Sequence, residues 1–539
     1  MTGALISYNP SAAWPRFALI ATGTAAGLFF WKLADPEQGE SGKVSWLGMI
    51  LAILPAIVVF YFALTTEWES RMGKLPVLDP ILGALATWRV GAPGSLLNTN
   101  SLGGLLAALA PLQIAALLSH KRRLSWTGVV LLVVTALGLL LSESRGAWFA
   151  LAGVSGIWLL YRVSGRIAKR WSGVALRRVQ IGLVIGSVGL LLLAGTVAAF
   201  TPFGQSILKR RNDRLMVWQN SLDLVGDYAL TGIGLGGFEM AYSTFVLLLH
   251  VGHTVHAHNL YLDIWLEQGL PGLLVFAGLV GLLGSHMLLQ LWRGEPVTVW
   301  QGMALASLGV IVLHGVIDDP FYGYGGYGIP FLFIPFGILA RSIRSSKKGL
   351  LSFSLSRIMP IAVGASVLVS VVAFVPACRS ALFANMGALS QTREELSTYS
   401  WPAWQLQDEV RRSDKIDLAP AIGEYQVALT IDPGNATANR RLGQIELSRG
   451  DYESAQRHLQ AAFAAAPDQR ATRQLLGELY AITGNVDLAV AMWRKIDVSN
   501  DQLAVRQWWY EHIGESDYAA RIKLAADSRG SSRSSQGVN

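Results

Sequence analysis

Residues 124–142 read LSWTGVVLLVVTALGLLLS, nineteen positions without a charge. A helix of about 20 apolar residues crosses the hydrocarbon of a bilayer. The run stops at Ser142-Glu143-Ser144-Arg145-Gly146, and a second apolar run fills 145–162. Two such runs joined by a short charged turn read as a helical hairpin in a membrane.

The same pattern extends in both directions. Further candidate spans lie at 17–32, 45–64, 100–119, 181–200, 268–291, 297–316, 328–341 and 358–377. The expected fold class is all-α, with a polytopic membrane domain over 1–377 of about 10 spans, or 11–12 if an early one is missed. The segment 77–92 is short and holds Pro80 and Arg89, so it reads as interfacial. Composition agrees: 52% of residues are hydrophobic and 15% charged, with a mean hydropathy of +0.39, against about 25% charged in soluble domains. The net charge of +8 reports topology in such a chain, so no nucleic-acid partner is expected. Cys378 is the single cysteine, which excludes an internal disulfide and a cysteine-based metal site. The N-terminus lacks the basic start and cleavage site of a signal peptide.

Basic residues collect in three loops: Lys121 to Arg123, Arg162 to Arg178, and Arg341 to Arg357. All three fall on one side under the span count, which the positive-inside rule makes cytoplasmic. The other side then holds the N-terminus, Asn98 to Asn100, Ser142 to Gly146, the segment 201–267, Asp318-Asp319-Pro320, and everything after Cys378. The expected localisation is an inner or plasma membrane.

After Pro376 the chain turns soluble and helical. Leu442, Gly443, Ala455, Leu459 and Pro467 belong to a unit whose pattern returns 34 residues later as Leu476, Gly477, Ala489 and Trp493; Ala421, Tyr425, Ala428 and Pro433 fit half of an earlier unit. This spacing resembles the tetratricopeptide repeat, whose paired helices touch through small residues. The reading is a linker and helical lead-in over 378–419, a repeat domain over 420–526, and a tail over 527–539 disordered by composition. Such repeats bind peptides or proteins, so an envelope protein is an expected partner.

Polar residues stand out at the extracytoplasmic ends of the spans. Arg145, Arg211 and Arg214 carry fixed charges whose planar fork suits phosphate. Arg211 and Arg214, three residues apart, share a helix face and together suit a diphosphate. His250, His253, His256 and His258 fall within nine residues. Imidazole suits zinc or copper, yet no cysteine and few nearby carboxylates complete such a site, so no metal is expected. A base is the better reading, and His258, beside the amphipathic segment Asn259 to Trp265, is the best placed to take a hydroxyl proton. Asn100, His256, Asn259, Asp318 and Tyr322 are candidate substrate-binding residues. Asn98 and Asn100 also suit a helix cap, and the tyrosines of 321–327 an interfacial belt or a platform for sugar rings.

In order, Asn98-Thr-Asn100-Ser-Leu-Gly, Ser142-Glu-Ser144-Arg145-Gly-Ala-Trp148, Arg214 with Trp218, Thr231-Gly-Ile-Gly234, His258-Asn259-Leu-Tyr-Leu, Glu267-Gln-Gly-Leu-Pro-Gly272 and His314-Gly-Val-Ile-Asp318 resemble the O-antigen ligase and polymerase superfamily. The likeness spans roughly 95–342 and agrees with a tetratricopeptide tail. It implies a metal-independent, inverting glycosyltransferase without cofactor. The implied donor is a glycan on undecaprenyl diphosphate, and the acceptor a glycan, lipid or protein. Arg145 and Arg214 would hold the diphosphate and His258 would be the general base. Two departures accompany it: the early spans are few, and 201–267 is modest in length. Rivals of another class are a polyprenyl-glycan transporter, which needs charges in the middle of spans, and a membrane-tethered scaffold without chemistry.

Overall fold

The computed structural model describes residues 1–34, 43–68, 79–87, 97–120, 126–167, 182, 186, 212–345, 374–399 and 406–534. All regular structure among them is helical. The membrane domain begins with α1 (Thr2–Ile6), α2 (Pro10–Leu33), α3 (Lys43–Thr65), the short α4 (Asp79–Thr87), α5 (Thr99–His120), α6 (Trp126–Leu141) and α7 (Arg145–Ile167). After α8 (Asn212–Tyr228) and α9 (Phe238–Tyr242) come α10 (Leu260–Arg293), α11 (Val299–Ile317) and α12 (Ile329–Ser345). Eight of the ten candidate spans therefore coincide with helices, and α4 lies within the 77–92 segment read as interfacial. The spans at 181–200 and 358–377 lie almost wholly outside the described residues. Stretches 48–65, 99–118, 260–293 and 299–317 are both long and apolar enough to cross a membrane.

Local chemistry explains the helix ends. Asn9 caps α2 by accepting the Ala12 N–H at 3.2 Å, and Pro10 supplies its preset first turn. Thr298 and Gln301 form a reciprocal capping box at the start of α11. Asn98, not Asn100, caps α5, accepting the Ser101 N–H at 2.7 Å. The apolar core gathers α5, α7, α10, α11 and α12. Gln113 on α5 ties α3 and α6 together by donating to the Ala52 carbonyl at 2.8 Å and accepting from Thr135 at 2.9 Å, the kind of polar contact that joins helices in lipid.

α10 is two helices joined at Gly269, whose φ is +69°. A Cβ there would stand 2.4 Å from the Leu230 carbonyl oxygen, and one on Gly232 would meet the Gly269 nitrogen at 2.5 Å. The two turns interlock through bare backbone, which only glycine permits. The glycine-rich stretch 231–237 is thus a structural turn seated on α10. The N-terminus closes over it: Leu235 donates to the Gly3 carbonyl at 2.8 Å, and Arg16 pairs with the buried Glu267, which also accepts the Gly236 N–H.

The soluble part holds α13 (Pro376–Ser397), α14 (Gln407–Arg412), α15 (Ala419–Ile431), α16 (Ala436–Arg449), α17 (Tyr452–Ala465), α18 (Arg470–Ile482), α19 (Val486–Trp493), α20 (Asn500–His512) and α21 (Ser516–Ser534). Leu459 packs under Gly443 and Trp493 under Gly477, which is the small-residue contact read from the 34-residue repeat. A third helix pair, α20 and α21, follows within the expected repeat domain and puts Trp509 and Tyr510 into its apolar core. One expectation is corrected. The chain from Asp527 is helical to Ser534, not disordered, since the buried Arg529 donates to the Val498 carbonyl at 2.6 Å and anchors the last turns.

Candidate active site at the helix ends

Asp318 follows the last residue of α11 and is buried, at 2% exposure. One of its oxygens lies 3.1 Å from His258 Nδ1, and the other accepts Nη2 of Arg214 at 3.0 Å. Arg214, in the first turn of α8, also donates Nη1 to the Ile317 carbonyl at 2.9 Å. Its fork is thereby fixed, although the arginine and histidine side chains stay 36% and 24% exposed. A buried carboxylate thus holds two groups that face accessible space. Burial raises the Asp318 carboxyl, but the His258 hydrogen bond and the Arg214 charge outweigh it and hold the group well below the usual carboxylate range.

His258 has a φ of +52°, one of three positive values at non-glycine residues among those described; the others are Glu143 and Leu248. Such a backbone persists only where its surroundings enforce it. Trp218 donates its indole N–H to the His258 carbonyl at 3.1 Å, His256 Nδ1 accepts the His258 N–H at 3.1 Å, and Asp263 accepts the Ala257 N–H at 2.7 Å. The two imidazole rings lie 4.1 Å apart. Burial lowers the pKa of His256, which favours its neutral form as the acceptor of that N–H. Burial and the neighbouring Asp263 carboxylate raise Asp319. Asn259 caps α10 by accepting the Tyr261 and Leu262 N–H groups, and it donates to the Val316 carbonyl at 3.1 Å, bridging α10 to α11.

Not every residue singled out in the sequence joins this set. Arg145 opens α7 and is exposed, without an ion pair to Asp318. Its neighbour Gly146 faces the buried His314, whose Nε2 would be 3.0 Å from an added Cβ; His314 is one turn before Asp318. Asn100 is half-buried in the first turn of α5. Tyr322 is buried and accepts from Gln268 at 2.6 Å, so its ring is no open platform for sugars. Arg211 lies outside the described residues.

Sequence reading missed two relationships. It found few carboxylates near the histidines, whereas folding brings Asp263, Asp318 and Asp319 to them. His256, His258 and Asp318 form one group, and His256, Asp263 and Asp319 another, with ligand atoms within 4.8 Å of one another. Asp318 is already committed to Arg214 and His258, so the second group is the better suited to a cation. The other miss is the Arg16–Glu267 pair, which binds the first span to the loop. Arg16 sits within an apolar helix, and a charge in such a place was the available signal.

Residues 130–277 match the family model described as O-Antigen ligase, and residues 417–479 match the one described as Tetratricopeptide repeat. No curated protein and no solved structure matches the chain significantly. Both family matches fall where the sequence motifs and the helices put them. The chain therefore carries an O-antigen ligase-like segment over residues 130–277 and a tetratricopeptide-repeat segment over residues 417–479, and four of its described helices are long and apolar enough to cross a membrane.

Proposed function

We propose that the protein is a metal-independent, inverting glycosyltransferase of the O-antigen ligase type. It moves a glycan from undecaprenyl diphosphate to an acceptor hydroxyl or amine at the extracytoplasmic face of an inner or plasma membrane. The observation that carries this reading is the bonded set His258–Asp318–Arg214 at the end of a membrane helix. With its Nδ1–H donated in a hydrogen bond to Asp318, His258 keeps Nε2 free as the base. It takes the acceptor proton while the acceptor oxygen attacks the anomeric carbon. The bond to the diphosphate breaks, and the lipid diphosphate leaves with the electron pair. Arg214, joined by Arg145 and Arg211, neutralises the charge that develops there. A positioned base supplies about 10²–10⁴-fold, and each well-placed donor to a developing anion about 3 kcal/mol.

Acceptors of this chemistry are a lipid-borne sugar, a second lipid-linked glycan, or a protein, and an envelope protein held by the repeat domain would present one. The ligase and polymerase readings share the site and differ in product. Purified protein incubated with a lipid-diphosphate glycan separates them by product mass: a single transfer marks a ligase and a ladder a polymerase. Absence of either product with inserted protein removes the enzymatic reading in favour of a scaffold or transporter.

A further inference from the structure

We infer that the inner face of the repeat domain takes the chain's own segment Ser243–His250 as its ligand and thereby positions His258. Residues 243–247 form one π-helical turn that ends at Leu248, whose φ is +54°. A helix end leaves carbonyls in need of donors. Here the donors come from the first helix of each successive repeat. Arg440 of α16 donates to the Phe245 carbonyl at 3.1 Å, Arg470 of α18 to those of Val246 and Leu247 at 3.1 and 3.0 Å, and Gln502 of α20 to Leu247 at 2.9 Å. Leu248 packs on the repeat domain's apolar core.

The base of the same loop is gripped as well. Asp227, at the end of α8, is fully buried between Arg440 and Arg441 and accepts from Thr437 at 2.9 Å. Arg441 also lies over the Phe245 ring at 3.6 Å. α8 carries Arg214 at its other end, and the held segment leads within eight residues to His258. Repeat solenoids use this inner surface for a partner's peptide. In this chain that surface is filled, and an envelope protein is left the outer face. The arginines are positioning residues, since none touches the reacting groups. Displacing a reacting group by about 1 Å from a remote position lowers the rate about 10²-fold.

The test uses the full chain in lipid nanodiscs with Arg470→Met and, separately, Gln502→Ala. Three readouts are taken: amide exchange over 249–258 and 471–482, transfer rate, and binding of a lipid diphosphate. In Arg470→Met we expect faster exchange over 249–258 only and a transfer rate about 10- to 100-fold lower. Lipid-diphosphate affinity should stay within about twofold. Should 471–482 loosen too, Gln502→Ala, which removes the bond to Leu247 together with the Ser499 cap and the Arg470 contact, decides by the same criteria. Unchanged exchange over 249–258 in the deciding variant, or lost exchange protection with full transfer rate, overturns the inference. The rate arm rests on the transferase reading and the exchange arm does not. A wild type without transfer whose loop still loosens on substitution condemns the former and leaves the docking intact.

Discussion

His258 and Asp318 stand 60 residues apart in the chain, yet an imidazole nitrogen of one lies 3.1 Å from a carboxylate oxygen of the other. In the proposed reaction that contact decides which nitrogen of His258 is left for an acceptor proton. Asp318→Asn keeps the shape but presents an amide where a charge stood. We expect the transfer rate to fall about 10²–10⁴-fold, the range a positioned base supplies, with protein yield and insertion unchanged. A steady-state assay on the purified variant checks this.

Arg214 separates charge from geometry. Two nitrogens of its fork engage the Ile317 carbonyl and Asp318 at once, and a lysine replaces that planar fork by a single nitrogen. Arg214→Lys should retain part of the donor affinity and lose at least about tenfold in rate. A lysine variant with wild-type turnover would show that a point charge suffices.

The buried group His256, Asp263 and Asp319 allows a direct test of metal independence. Prolonged dialysis against a chelator should leave the transfer rate unchanged. Loss of activity restored by one divalent cation, together with loss of that restoration in Asp319→Asn, would identify the group as a metal site instead.

The repeat domain's grip on the loop should weaken in mild acid. His250 Nδ1 accepts the Gln407 N–H at 3.3 Å, and burial lowers its pKa to about 4. Asp408, Arg411 and Arg506 surround it. An unfolded histidine titrates near 6.5. A folded value below that means stability present above about pH 6.5 and lost as the pH falls toward 4. Asp223, at the same interface, is raised by burial to about 6 and works in the opposite sense, losing its contribution as the pH rises through that value. His250→Gln leaves Asp223 in place. Between pH 7 and pH 5 the wild type should therefore lose more exchange protection over 243–250 than the variant does.

Much of this was legible along the chain. Apolar runs of span length give α3, α5, α6, α7, α10 and α11 directly, and the small residues recurring every 34 positions give the solenoid. Arg145, Arg214, His258 and Asp318 each showed themselves as polar groups at the ends of apolar runs. Their relations did not. Nothing local says that Asp318 serves both His258 and Arg214, or that Arg145 stands apart from that bonded set. Helix packing decides these, through Gly104 and Gly146 against His314 and through Gly232 against Gly269. Tyr322 was misread because an aromatic beside glycines at a span end looks like a surface belt until the fold buries it. The seating of residues 243–250 in the repeat domain was equally hidden, since backbone carbonyls have no sequence signature.

The central claim is that His258 removes the acceptor's proton during glycan transfer. The most direct measurement is the rate of product formation, followed by mass, for inserted His258→Ala protein given a lipid-diphosphate glycan and an acceptor. If His258 is the base, the rate falls about 10²–10⁴-fold with lipid-diphosphate binding retained; transfer at the wild-type rate would contradict that role.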